Sequence, residues 1–154
     1  MRRRNPISTG AVRRAPRRSP EFDEQCALFE WARIPAVVAQ YPGIDLLEGS
    51  MNGVKLSKAQ AGKAKAAGML KGAHDVRLPV PRSGYIGLSI ELKAGKNTPT
   101  DEQLWYGGRL EAEGWCVFYC WSWVDAKEAI IAYLCGLSLA PSGTKIKPSL
   151  QNSK

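Results

Sequence analysis

Two short alternating segments joined by a turn constrain this chain more than any other feature. From Tyr85 to Lys93, Ile86, Leu88, Ile90 and Leu92 fall on one side, and Gly87, Ser89, Glu91 and Lys93 on the other. Period-two alternation with β-branched residues predicts a half-buried strand. Upstream, Val76, Leu78 and Val80 alternate with Asp75, Arg77 and Pro79, which predicts a second strand. Pro81-Arg82-Ser83-Gly84 between them has turn chemistry. Antiparallel pairing about a turn centred near Ser83 sets Asp75 opposite Glu91. Opposed residues share a face with their Cβ atoms roughly 4.5–5.5 Å apart. Two carboxylates are then side by side, with the Lys93 ammonium two residues along the same face.

Like charges opposed in a sheet destabilise it, so this arrangement requires a compensating cation. A hard divalent ion such as Mg2+ meets that need, since one or two carboxylates suffice to hold it. Lys93 then has a task in orienting or helping to deprotonate an attacking water, or in stabilising charge on a scissile phosphate. Asp75, Glu91 and Lys93 are the expected core of a metal-dependent phosphodiesterase. The alternative is an exposed Glu91–Lys93 pair on a solvated strand face, with Asp75 capping the start of its strand.

The 154 residues are 44% hydrophobic and 23% charged, which is ordinary for one globular domain with a proper core. No apolar run approaches the length of a membrane span, and the Arg-rich start is not followed by an apolar segment of the secretory type. Four cysteines and one histidine without a C-x-x-C pair argue against zinc and for buried thiols in a reducing compartment, hence a cytoplasmic, nucleic-acid-associated protein. Organelle targeting by the acid-poor, Ser-containing start is the lesser alternative, because Pro6, Pro16 and Pro20 work against an amphipathic helix there. Residues 1–18 hold seven arginines and no acid, and residues 141–154 hold three lysines and no acid. Ten of the charges behind the net +8 are therefore in the tails, and residues 19–140 carry −2. A basic arm including Arg13, Arg14, Arg17 and Arg18 suits sequence-independent contact with nucleic-acid phosphates, or simple solubilisation.

Three parts are expected: a disordered Arg-rich arm over 1–20, a folded domain over 21–136 and a polar basic tail over 137–154. Glu21-Phe22-Asp23-Glu24 opens a helix whose core face is Phe22, Cys26 and Phe29, with Ala32 and Ala36 continuing the spacing and Pro35 kinking or ending it. Leu46 and Leu47 begin a short strand leading to a turn at Asn52-Gly53. Ser57 caps a second helix reaching Ala67. Lys55, Lys58, Lys63, Lys65 and Lys71, with no acid between Glu48 and Asp75, form a basic patch leading toward the proposed site, or a solvated helix face. Thr100 and Gln103 fit a capping box that starts a helix ending at Gly114. Trp115–Cys120 reads as a strand, and Ser122 caps a last helix to about Cys135. The order is helix, helix, strand, strand, helix, strand, helix, an α/β arrangement with a mixed sheet.

The ordered series Glu24-Gln25, Asn52-Gly53, Gly68-x3-Gly72-x2-Asp75, Glu91-Leu92-Lys93 and Gln103 resembles the VRR-NUC nucleases of the PD-(D/E)xK superfamily, over roughly Asp23 to Leu134. The resemblance implies a restriction-endonuclease-like core, a mixed β-sheet flanked by helices, and Mg2+- or Mn2+-dependent endonucleolytic cleavage of DNA. It implies Asp75, Glu91 and the Leu92 carbonyl as metal ligands, Glu24 completing the site, Lys93 as the catalytic lysine and Gln103 as the helical glutamine, with Tyr106 at the edge. Glu24 is equally a helix N-terminal acid, and Gln103 equally a capping residue. The family proline before the aspartate is His74 here, which suits packing, a hydrogen bond or a phosphate contact. Stand-alone domains of the family resemble Holliday-junction resolvases, which implies a homodimer on branched DNA. A noncatalytic nucleic-acid-binding protein that retains the fold is the competing reading.

Overall fold

The computed structural model describes residues 19–51 and 56–137. Arg13, Arg14, Arg17, Arg18, Lys55, the Asn52-Gly53 turn and the tail from 138 onward lie outside the described residues. In chain order the elements are α1 (Pro20–Ala32), α2 (Pro35–Gln40), a 3-10 turn (Ile44–Leu46), β1 (Glu48–Gly49), α3 (Lys58–Ala66), β2 (Val76–Leu78), β3 (Leu88–Leu92), α4 (Asp101–Ala112), β4 (Cys116–Cys120) and α5 (Trp123–Cys135).

The helices start where side chains satisfy their orphan amides. The hydroxyls of Ser19, Ser57, Thr100 and Ser122 each accept from a first-turn N–H. Both Ser57–Gln60 and Thr100–Gln103 are complete capping boxes. Pro35 neither kinks nor simply ends the first helix. It opens α2, because at N1 its missing N–H has no partner to lose. The core face of α1 also differs from expectation: Leu28 and Ala32 are buried, whereas Phe22, Cys26 and Phe29 are half-buried and Ala36 is exposed.

The sheet runs β1-β2-β3-β4, antiparallel for the first two pairings and parallel for β3 with β4. Val76 pairs with Ile90, Arg77 with Ser89 and Leu78 with Leu88, so the expected register holds. The hairpin tip obeys a different register. Arg82 bridges to Tyr85 around Ser83 and Gly84, both at positive φ, as in a two-residue type I′ turn. Pro79, Val80 and Pro81 then lie across from only Ile86 and Gly87, and this bulge restores the strand pairing.

One face of the sheet carries Leu88, Ile90 and Leu92 of β3, Val76 and Leu78 of β2, and Cys116, Phe118 and Cys120 of β4. These pack with Leu28 and Ala32 of α1 and Ala126, Ala129, Ile130 and Tyr133 of α5 into the apolar core. The opposite face holds Ser89, Glu91, Val117 and Tyr119, and α4 covers it with Tyr106 and Gly107. The strand is therefore buried on both sides rather than half-buried. Cys116 and Cys120 are buried thiols, Cys26 is half-buried and Cys135 is exposed, against the expectation that all four are buried. Among the described residues no helix is long and apolar enough to cross a membrane.

Candidate active site

Glu91 is 1% exposed and Lys93 is 4% exposed, so the solvated ion pair that the sequence left open does not occur. Lys93 Nζ donates to Glu91 Oε1 at 2.7 Å. The Gln103 side-chain amide donates to the same oxygen from α4. Gln103 Oε1 accepts from the Thr100 N–H at 2.9 Å, so one side chain closes the capping box and holds Glu91. Capping and site roles thus coexist in that residue.

Asp75 precedes β2 and reaches across to β3, where its Oδ2 accepts the Leu92 N–H at 2.9 Å. A residue in a strand directs its N–H and C=O to the same neighbour, so the Leu92 carbonyl faces Asp75 too. The Asp75 carboxylate is near enough for its charge to act on Glu91. Burial, and after it the Asp75 charge, push Glu91 up to about 8 against the pull of Lys93. Burial also raises Asp75, outweighing the Leu92 amide and the Lys93 charge. Asp75 and Glu91 thus sit with the Glu21 charge acting on both, beside the single Lys93 ammonium.

Asp75, Glu91 and Gln103 line a cleft of about 480 Å³, with Glu21, Lys71 and Glu102 around it. Glu91 Oε2 is buried and has no hydrogen-bond partner. A buried acceptor left unsatisfied costs about 1–3 kcal/mol, and more when charged. That oxygen, the adjacent Asp75 carboxylate and a carbonyl are hard oxygen donors, a set suited to Mg2+ or Mn2+, which dehydrate reluctantly and need few protein ligands. Among the described residues no three His, Cys, Asp or Glu side chains converge into a ready-made cluster.

Glu24, expected to complete the site, is used elsewhere: its Oε2 accepts the Trp123 N–H at 2.6 Å, at the start of α5. One turn earlier on α1, Glu21 lines the cleft, and its charge acts on both Asp75 and Glu91. Asn97, from the loop after β3, donates to Glu21 Oε1 at 3.1 Å. The sequence signal for Glu21 was its position one helical turn before Glu24, which gives either residue the same general direction. Gln25 bridges the Ser50 and Asp75 carbonyls at 3.2 and 3.3 Å and fixes the start of β2.

Lys71 pairs with Glu102 at the cleft rim and is 82% exposed at its side chain. Gly72 makes this approach possible, since its φ is +82° and an added Cβ would sit 2.5 Å from the Glu102 carbonyl oxygen. Lys58, Lys63 and Lys65 are exposed on α3 and are not part of the cleft wall. His74 is buried, so the phosphate contact considered for it has no physical basis. Burial lowers its pKa to about 4, and its rings neighbours are Tyr106 and Tyr119. Tyr106 is therefore packed beneath the site, not at its edge.

No family model matches the chain, and no curated protein does. Among solved structures, one described as a VRR_NUC domain protein aligns with a TM-score of 0.60 at 23% identity, covering 76% of this chain and 89% of that one. The chain thus has a VRR_NUC-type fold, a nuclease-like mixed sheet flanked by helices.

Proposed function

We propose that this protein is a divalent-metal-dependent endonuclease that hydrolyses DNA phosphodiester bonds, acting as a homodimer on branched DNA such as Holliday junctions. The observation that carries the reading is Glu91 Oε2, a buried carboxylate oxygen without a partner in the wall of a cleft, next to Asp75. Asp75, Glu91 and the Leu92 carbonyl would hold the ion. A bound Mg2+ or Mn2+ would supply Lewis-acid stabilisation of charge on the phosphate and the leaving oxygen.

The chain's own residues have separable tasks. Lys93 and Gln103 hold Glu91 Oε1, which fixes the carboxylate in place. Glu21 takes the helical position expected of Glu24. Lys71 at the rim would exchange Glu102 for a DNA phosphate, and Lys55, Lys58, Lys63, Lys65 and the arm arginines would add sequence-independent affinity.

The test is nicking of branched and linear DNA by wild type and Lys93→Ala, in Mg2+, Mn2+ and chelator. Wild type is expected to cut branched DNA preferentially and only with metal, and Lys93→Ala to be slower by about 10²–10³-fold. Equal rates for the two proteins would remove Lys93 from the mechanism. Binding without cleavage by wild type would favour the noncatalytic reading.

A further inference from the structure

The buried polar and charged residues described are His74, Ser89, Glu91 and Lys93, and all four are in one place. Glu91 and Lys93 belong to the site just described, whereas His74 and Ser89 lie beneath it. His74 Nδ1 is 2.9 Å from Ser89 Oγ, and Nε2 is 3.1 Å from the Gln103 backbone carbonyl. A carbonyl only accepts, so Nε2 carries the proton, and in the neutral ring Nδ1 accepts from the Ser89 hydroxyl. Tyr119 Oη donates to the same carbonyl at 3.3 Å. The imidazole meets Tyr106 and Tyr119 edge-on, with centroids 5.1 and 5.4 Å away. Gly107, one turn after Gln103, leaves space for it: an added Cβ would be 3.1 Å from His74 Cε1 and would overlap the Tyr119 hydroxyl.

Each bond of this ring ends near a different part of the site. Asp75 is the next residue, Ser89 is two residues before Glu91 on β3, and Gln103 carries the amide that donates to Glu91. We propose that His74 is a positioning residue: by holding the Gln103 carbonyl and Ser89 together it sets α4 against β3 so that the Gln103 amide meets Glu91. This rests on the nuclease reading for its consequence in catalysis, though not for its geometry.

The conservative series separates hydrogen bonding from space filling. The amide nitrogen of His74→Gln reaches about as far as Nε2 and can donate to the Gln103 carbonyl, whereas His74→Leu fills volume only. His74→Leu is expected to weaken Mn2+ binding, followed by calorimetry, and to lower kcat about tenfold with KM for DNA within about twofold. His74→Gln should recover most of both losses. Equal behaviour of the two variants, whether both intact or both impaired, would overturn the proposal. If His74→Leu does not fold, His74→Asn replaces it, since its shorter amide reaches Ser89 and not Gln103; the Gln variant should then outperform it, and equality would again overturn the idea. The Gln103 side-chain amide resonance of the metal-free protein is the readout independent of catalysis. It should shift in His74→Leu or His74→Asn and return in His74→Gln even if wild type cleaves nothing, so a failed nuclease reading remains distinguishable. An unmoved resonance would overturn the positioning role.

Discussion

The two faces of β3 are buried to the same degree and built from opposite materials. Leu88, Ile90 and Leu92 face α1 and α5 within a continuous apolar core, while Ser89 and Glu91 face α4 among polar partners. Apolar burial contributes roughly 25 cal/mol per Å², so the first face stabilises the fold. Burying a carboxylate and an ammonium together brings little net stability, because desolvation offsets much of their attraction. A strand so well supported on one side can hold a poorly compensated cluster on the other. The difference between the faces therefore marks where stability is generated and where it is given up.

The largest effect should come from breaking the polar face. Lys93→Met leaves Glu91 buried without its ammonium and is expected to destabilise the protein by about 3–5 kcal/mol in urea melts above pH 8. Adding Glu91→Gln should return most of that loss; a double variant as weak as the single would show that Lys93 matters through packing. On the apolar face, Ile90→Ala should cost about 2–5 kcal/mol, and that loss should be the same at every pH and with or without Mn2+. Dependence on either variable would mean that the two faces are coupled.

The pH response sharpens the contrast further. Glu91 has a folded pKa raised from 4.5 to about 8, so the folded state binds its proton more tightly than the unfolded chain does. In metal-free protein the Glu91 contribution is fully present below about 4.5 and is lost as pH rises through about 8. The decline should be no steeper than about 1.4 kcal/mol per pH unit for one proton. Mn2+ must displace the same proton, so its affinity should rise toward pH 8, with proton release detectable by calorimetry in buffers of different ionisation enthalpy. His74, lowered from 6.5 to about 4, contributes the opposite slope below about 6.5, so a metal-free stability profile that climbs between about 6.5 and 8 would contradict the assignment. The smallest effect is expected from Thr100→Ala, about 1 kcal/mol of stability from the lost cap, read by thermal melts, with the Gln103–Glu91 contact retained.

Local chemistry made much of the molecule legible. The capped helix starts at Ser57, Thr100 and Ser122 and the β2–β3 register were readable because caps and alternation act over a few residues. The hairpin tip was misread because a bulge restores a register that the turn alone would have shifted. Glu21 and Glu24 could not be separated, since one helical turn divides them and only the placement of α5 decides which carboxylate meets an amide and which meets the cleft. The full burial of Glu91 was hidden for a related reason: alternation reports polarity, and nothing in it says that a helix will cover the polar side.

What the sequence by itself determined was the set Asp75, Glu91 and Lys93 on one side of a hairpin, and the capping box that begins α4, because strand pairing and helix capping are short-range. What only the tertiary structure decided was the landing of α4 on that polar face, which brings Gln103 to Glu91, seats His74 beneath both and leaves one carboxylate oxygen unpaired. Docking of that kind depends on the shapes of surfaces far apart in the chain, which no local pattern records.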